Sequence, residues 1–149
     1  LCEDGRRETE DGTDHRPKDL SAVDEEGEND VQVPGLRVYQ MALDYQDEIY
    51  RLSAGLPDDE RFNLVSQIRR AAVSIALNIA EGSTSQTDPE QHRFLGHALR
   101  SYLETVACMD IIERRGYLAR EAMVSVQESG HSLFVALQAF RKRIGPTHV

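Results

Sequence analysis

The chain has 149 residues, 40% hydrophobic and 29% charged, with 26 acidic residues against 17 Lys and Arg and a formal charge of −9. This composition supplies the core of one soluble domain without disulfides or metal. It excludes collagen-like, mucin-like and membrane-spanning classes, because no apolar run approaches the roughly 20 residues that a bilayer span needs.

The acidity, which would repel nucleic acid and anionic membranes, is unevenly placed. Residues 1–35 hold twelve acids and four bases, a net −8, whereas residues 36–149 hold fourteen acids and thirteen bases, a net −1. The first 35 residues contain no Trp, Phe, Tyr or Ile. Leu20, Val23, Val31 and Val33 are too sparse to offset the entropy of ordering, so a disordered acidic tail is predicted up to Pro34-Gly35. The start at Leu1 lacks the apolar stretch of a secretory leader. Cys2 in the tail and Cys108 in a helical pattern form no disulfide framework or paired-cysteine metal site, so a reducing cytoplasm is the expected location.

From Leu36 onward apolar residues recur at helical spacing and no stretch alternates as a strand would, so this part is predicted to be all-α. The first helix covers about 36–54, with Val38, Met41, Ala42, Tyr45, Ile49 and Leu52 on one face, and stops at Gly55-Leu56-Pro57. The second, about 59–81, opens in Asp58-Asp59-Glu60, whose carboxylates complement the helix dipole, buries Val65, Ile68, Ala72, Ile75 and Ile79, and ends before Gly82. The third, about 88–115, starts at Thr87 or Asp88 with Pro89 in its first turn. It turns Phe94, Ala98, Tyr102, Thr105, Met109 and Ile112 inward and closes at Gly116. The fourth, about 119–143, buries Met123, Val126, Leu133, Leu137 and Phe140 ahead of Gly145-Pro146. Short connections between four such helices predict an antiparallel up-down-up-down four-helix bundle over 36–149. On the first helix Tyr39, Leu43 and Tyr50 form a second apolar line about 120° from the core stripe. Either these aromatics are partly exposed or the line is a subunit interface, and a homo-oligomer is expected.

The run QIRRAAVSIALNIAEG, Gln67 to Gly82, is the least generic part of the chain. Gln67, Arg70, Ser74, Asn78 and Glu81 share an arc about 80° wide beside the apolar face. Asn78 is a weak helix former and Glu81 lies at the unfavourable end of the dipole, so both need compensating partners. The structural reading has them tie down the connection from Gly82 to Thr87, with Glu81 paired to Arg70 or Arg100. The functional reading makes the arc a polar recognition site.

The chain here resembles the four-helix-bundle proteins encoded in intervening sequences of bacterial 23S ribosomal RNA genes. The resemblance rests on LRVYQMALDYQDEIYRL, LPDDERFNLVSQIRRAAVSIALNIAEGS and FLGHALRSYLETVACMDIIERRGYL, with a less distinctive fourth helix, and covers about 36–144. Its most specific block orders Gln67, Arg69, Arg70, Ser74, Asn78, Ile79, Ala80, Glu81 and Gly82. The resemblance implies a pentamer of antiparallel bundles with no known catalytic activity. A related branch is similar to the accessory variability determinant of diversity-generating retroelements, a pentamer that binds nucleic acid and a reverse transcriptase. The acidic tail and near-neutral domain depart from that branch.

The bases able to reach phosphates are Arg61, Arg69, Arg70, Arg93, Arg100, Arg114, Arg115, Arg141, Lys142 and Arg143. Arg100 with Glu104, and Asp110 and Glu113 beside Arg114, are spaced for solvated ion pairs, and the 141–143 cluster complements a helix C-terminus. No aromatic stacking platform, zinc knuckle or RRM motif is evident. Repetition around an oligomer would nonetheless give a modest arginine patch avidity. The leading function is a non-enzymatic oligomeric bundle that associates with ribosomal RNA or another structured nucleic acid. The alternative is a protein-interaction scaffold with no nucleic-acid role. A di-iron site is not expected: Glu128 and His131 form a single Glu-x-x-His pair off the core stripe, where such sites use two. Ser74 and Ser101 have no evident histidine and acid partners, so no catalytic residue, metal or cofactor is assigned.

Overall fold

The computed structural model describes residues 34–145. The predicted tail therefore lies outside the described residues, apart from Pro34 and Gly35. Four helices follow: α1 (Pro34–Ser53), α2 (Leu64–Ser83), α3 (Asp88–Arg115) and α4 (Arg120–Ile144). There is no strand among the described residues, and none of their helices is long and apolar enough to cross a membrane.

Cross-helix contacts run in opposite chain directions for every adjacent pair. Ser74 and Gly82 of α2 meet Ser101 and Phe94 of α3, and Tyr102 and His92 of α3 meet Phe134 and Arg141 of α4. Tyr45 and Gly35 of α1 lie against Gly130 and Phe140 of α4. The helices thus go up, down, up and down, with α1 and α3 on one diagonal.

The core follows the predicted stripes. Ala42, Tyr45, Ile49, Ile68, Ala72, Ile75, Ala98, Ile112, Met123, Leu133 and Leu137 are fully buried. Five stripe residues, Met41, Leu52, Val65, Phe94 and Phe140, are only half-buried, while Leu64 and Leu95 are buried beside them. Phe94 departs because its Cβ is taken up against Gly82, at a distance a glycine Cβ would close to 3.2 Å, while its ring lies beside His97 and beneath Arg93.

Three helix ends differ from the prediction. Pro34 opens α1, since proline's fixed φ suits the first helical position even though Pro-Gly reads as a turn. Asp58–Glu60 form a single 3-10 turn, and α2 begins only at Leu64. Asn63 breaks the path at φ −124°, ψ −98°, and the Glu60 carboxylate reaches forward to accept from the Leu64 N–H at 3.3 Å and the Asn63 amide at 3.0 Å. Gly82 lies inside α2 and is buried, so it permits the close approach of α3 rather than ending the helix. The start of α3 is as predicted: Thr87 caps it by accepting from the Glu90 N–H, and Gly116 ends it at φ 70°, a conformation suited to glycine.

The α1–α3 diagonal is spanned by one side chain. The Tyr45 hydroxyl is 2.7 Å from Thr105 Oγ1, and the Thr105 hydroxyl donates to the Tyr102 carbonyl at 2.6 Å. Thr105 has a single proton, so Tyr45 is the donor in the first bond. Burial raises the Tyr45 pKa, which keeps the phenol protonated. The Tyr102 ring packs against Tyr45 with centroids 5.9 Å apart and stacks on Phe134 at 5.1 Å. Gly130 makes room for the cluster: a Cβ there would sit 2.9 Å from Tyr45 Cε2 and 3.0 Å from Tyr102 Cε2. Gly130→Ala is therefore expected to destabilise the bundle by about 1–2 kcal/mol in urea denaturation, although alanine is the better helix former by about 1 kcal/mol. Unchanged or raised stability would contradict this packing.

Candidate nucleic-acid interface

The polar arc of α2 is divided: Ser74 and Asn78 are used inside the bundle, and Gln67, Arg70 and Glu81 are exposed. Asn78 Nδ2 donates to the Ser74 carbonyl at 2.8 Å and to Ser74 Oγ at 3.0 Å, and Ser74 Oγ lies 2.9 Å from Ser101 Oγ on α3. Asn78 thus satisfies its own amide one turn back and braces a serine pair between two helices. It does not tie down the 84–87 connection, as the sequence reading had it. Glu81 is exposed and makes no salt bridge to Arg70, Arg100 or any other described base. Its backbone carbonyl, not its side chain, holds the connection, by accepting from Thr84 Oγ1 at 2.9 Å and Ser85 Oγ at 3.4 Å. Gln67 and Arg70 are exposed on the same helix.

The ten candidate bases divide by setting. Arg69 turns inward: its Nε donates to Ser53 Oγ at 2.7 Å, Nη2 donates to the Tyr50 carbonyl at 3.4 Å, and the guanidinium lies 4.6 Å from the Tyr50 ring centroid. A cation on the last carbonyls of α1 is a C-terminal cap, so Arg69 closes the α1–α2 junction. Arg61, Arg114 and Arg115 are exposed at that same end of the bundle, with Arg61 over the ring of Phe62, which is 89% exposed. Arg70 and Arg100 are exposed along the sides of α2 and α3. Arg93, Arg141, Lys142 and Arg143 gather at the opposite end, where α3 begins and α4 stops.

The expected ion pairs are not made. Among the described residues the one salt bridge is Glu113 with Arg120, at 2.6 Å. Arg100 and Glu104 stand in the weaker order, with the base N-terminal to the acid, and Glu113 reaches across the turn instead of along its helix. None of the ten candidates therefore has a described carboxylate within salt-bridge distance.

Arg141 alone among them is held in a groove. Its Nε donates to the His92 carbonyl at 3.1 Å, and its guanidinium lies over Gly96, where a Cβ would come 2.9 Å from Nη2. A glycine inside a helix costs about 1 kcal/mol relative to alanine, and here the missing side chain is what admits the guanidinium. Burial and the Arg141 charge hold the His92 pKa below its ordinary value. The groove has a volume of about 590 Å³ and runs between α3 and α4 past Leu99, Val135 and Lys142.

Of the proposed interface line, Tyr39 and Leu43 pack half-buried against their own core, and Tyr50 is 40% exposed beneath Arg69. Large exposed apolar residues stand elsewhere: Leu77 on α2, Leu103 and Ile111 on α3, and Val124 and Val135 on α4. Cys108 is a buried free thiol whose pKa is raised by burial and by Glu104, and Glu128 and His131 are exposed on α4.

The family model described as 23S rRNA-intervening sequence protein matches residues 35–138. The chain belongs to this family. A protein of unknown function from the S23 ribosomal protein family of Bacteroides thetaiotaomicron VPI-5482 has a similar crystal structure, with a TM-score of 0.68 and 24% identity over 73% of this chain and 98% of that one. At that identity the likeness shows the fold alone. No curated protein matches the chain. The family match takes in α1 to α3 and α4 as far as Gln138, with the serine pair and Gly96, whereas Arg141, Lys142 and Arg143 lie just beyond it.

Two positioning residues of this family member escape the helical pattern. Gly96 is visible only as an isolated glycine in a helical run. Glu60 looks like a helix-opening acid but serves as a hub, since beyond capping α2 its carboxylate accepts from the Tyr117 hydroxyl at 2.9 Å, tying the α2 start to the α3–α4 turn. The Tyr117 bond, followed by those from Leu64 and Asn63, lowers the Glu60 pKa below its ordinary 4.5. A depressed carboxyl pKa gives stability that is complete above the unfolded value and lost as pH falls through the folded one. The advantage of the wild type over Glu60→Gln in thermal melting should thus be full at pH 6 and shrink on acidification below 4.5. A difference constant with pH would contradict the hub.

Proposed function

We propose that this protein is a non-enzymatic, homo-oligomeric bundle that associates with structured RNA of the ribosomal type through its arginine-rich surface. The observation that supports this most is the set of candidate bases without a described carboxylate partner, in a domain whose net charge is only −1. Cations outside salt-bridge reach of a described carboxylate, Arg69 apart, can neutralise phosphates, and arginine's planar fork suits them. The membership of the 23S rRNA-intervening sequence family agrees with this biology. The serine hydroxyls bond to each other and the one described cysteine is buried with a raised pKa, so these groups have no activated nucleophile's setting.

Oligomerisation is supported by the exposed Leu77, Leu103, Ile111, Val124 and Val135, which lie on three helices and leave more than one apolar edge unpartnered. A five-membered ring is the assembly that the sequence resemblance implies, and a ring multiplies a weak phosphate contact. The same apolar residues favour a second reading, a protein scaffold without RNA, in which they receive a different partner.

Filter binding of the full chain to a 23S ribosomal RNA helix separates the two. Three or four phosphate contacts predict an affinity that falls on the order of 50- to 150-fold between 50 and 200 mM salt. Absence of binding at 50 mM would favour the scaffold. Light scattering at micromolar concentration should give a mass several times that of one chain, and a monomer would overturn the oligomer.

A further inference from the structure

Apart from Arg69, which the end of α1 takes up, the candidate base with a hydrogen bond among the described residues is Arg141, in the groove between α3 and α4. The Arg141 Nε is engaged by the His92 carbonyl, and the guanidinium is seated on Gly96. Its Nη groups have no described carboxylate within salt-bridge distance. Lys142 and the Gln138 amide stand on the same groove, whose lining includes no acidic residue. The Leu99 and Val135 walls limit where a ligand can place its polar atoms. A pre-positioned fork, a second point charge and an amide donor, with no competing carboxylate among the described residues, are the donor set that recognises a phosphate.

We propose that this groove is a phosphodiester-contact site for structured RNA, with Arg141 and Lys142 as the phosphate ligands and Gly96 as the residue that positions the Arg141 fork. The proposal rests on the RNA-binding reading and goes further by assigning the contact to one edge of the bundle. Exposed arginines such as Arg70 and Arg100 must lose side-chain freedom when they meet a phosphate, and Arg141 has already lost most of it. The site is therefore sensitive to a change that alters no charge. A methyl at position 96 displaces the Arg141 guanidinium, the far end of a flexible side chain, and removes no charge.

The test uses the full-length wild type with Gly96→Ala and Lys142→Gln, bound to one fluorescent 23S ribosomal RNA hairpin across a salt series. Gly96→Ala should melt at or above the wild-type temperature yet bind on the order of 3- to 10-fold more weakly at 100 mM salt, and Lys142→Gln should reduce the log–log salt slope by about one. If the wild type binds and both variants match its affinity and slope, the groove assignment fails while the RNA reading stands. If the wild type does not bind at 50 mM salt, both fail. If inorganic phosphate raises the melting temperature of the wild type more than that of Gly96→Ala yet displaces the hairpin no better than chloride at matched ionic strength, the groove takes a free anion and its assignment to RNA is overturned.

Discussion

One hydroxyl placed across the diagonal of the bundle sets its geometry. Tyr45 on α1 is fully buried and donates to Thr105 on α3, whose hydroxyl donates in turn to the Tyr102 carbonyl. The net worth of such a bond is only about 1 kcal/mol, but a buried phenol without it would cost about 1–3 kcal/mol, so any other register of α1 against α3 is penalised. Tyr102 then stacks on Phe134, which brings α4 to the same level, and Gly130 lets the two tyrosines approach the α4 backbone. With α1, α3 and α4 registered at this height, the Ser74–Ser101 pair aligns α2.

Glycine inside a helix recurs as the means of close approach. Gly82 admits Phe94, Gly130 admits Tyr45 and Tyr102, and Gly96 admits the Arg141 guanidinium. Each gives up about 1 kcal/mol of helix propensity, which neighbouring packing must offset. Gly82 meets the Phe94 Cβ and Gln91, and Gly130 faces two aromatic rings, so both serve helix packing. At Gly96 the neighbour is a cation at the rim of an open groove, so the same device that packs the interior orients a charged side chain at the surface.

The helices and most of their buried faces were legible in the sequence because helical periodicity reports burial directly: Val38 to Ile49, Ile68 to Ile79 and Met123 to Leu137 line the core as their spacing requires. What pattern could not convey is where one side chain answers another across the fold. Asp58-Asp59-Glu60 reads as a helix opening, yet α2 waits until Leu64, past the backbone break at Asn63, and Glu60 is held by Tyr117, 57 residues away. Arg69 reads as a surface cation beside Arg70, but the end of α1 takes it up. Asn78 and Glu81 share an arc, but Asn78 turns back to Ser74 while Glu81 acts through its carbonyl. The spread of charged residues was visible in the sequence, whereas the separation of a seated arginine from exposed ones required the tertiary contacts of Gly96 and His92.

With Arg69 taken up by the end of α1 and Arg120 paired with Glu113, the basic residues at the α3 start and the α4 end are the ones to which the RNA contact is proposed to fall. The proposal assigns the contact to that edge because Arg141 is seated there, whereas Arg61, Arg114 and Arg115 at the other end and Arg70 and Arg100 along the sides are exposed without such a seat. Ultraviolet cross-linking of the full-length protein to 23S ribosomal RNA fragments, followed by peptide mapping, tests this most directly. The account predicts cross-links concentrated in peptides from the start of α3 and the last two turns of α4. Cross-links confined to α1 and α2, or none above those of an unrelated acidic protein, would contradict it.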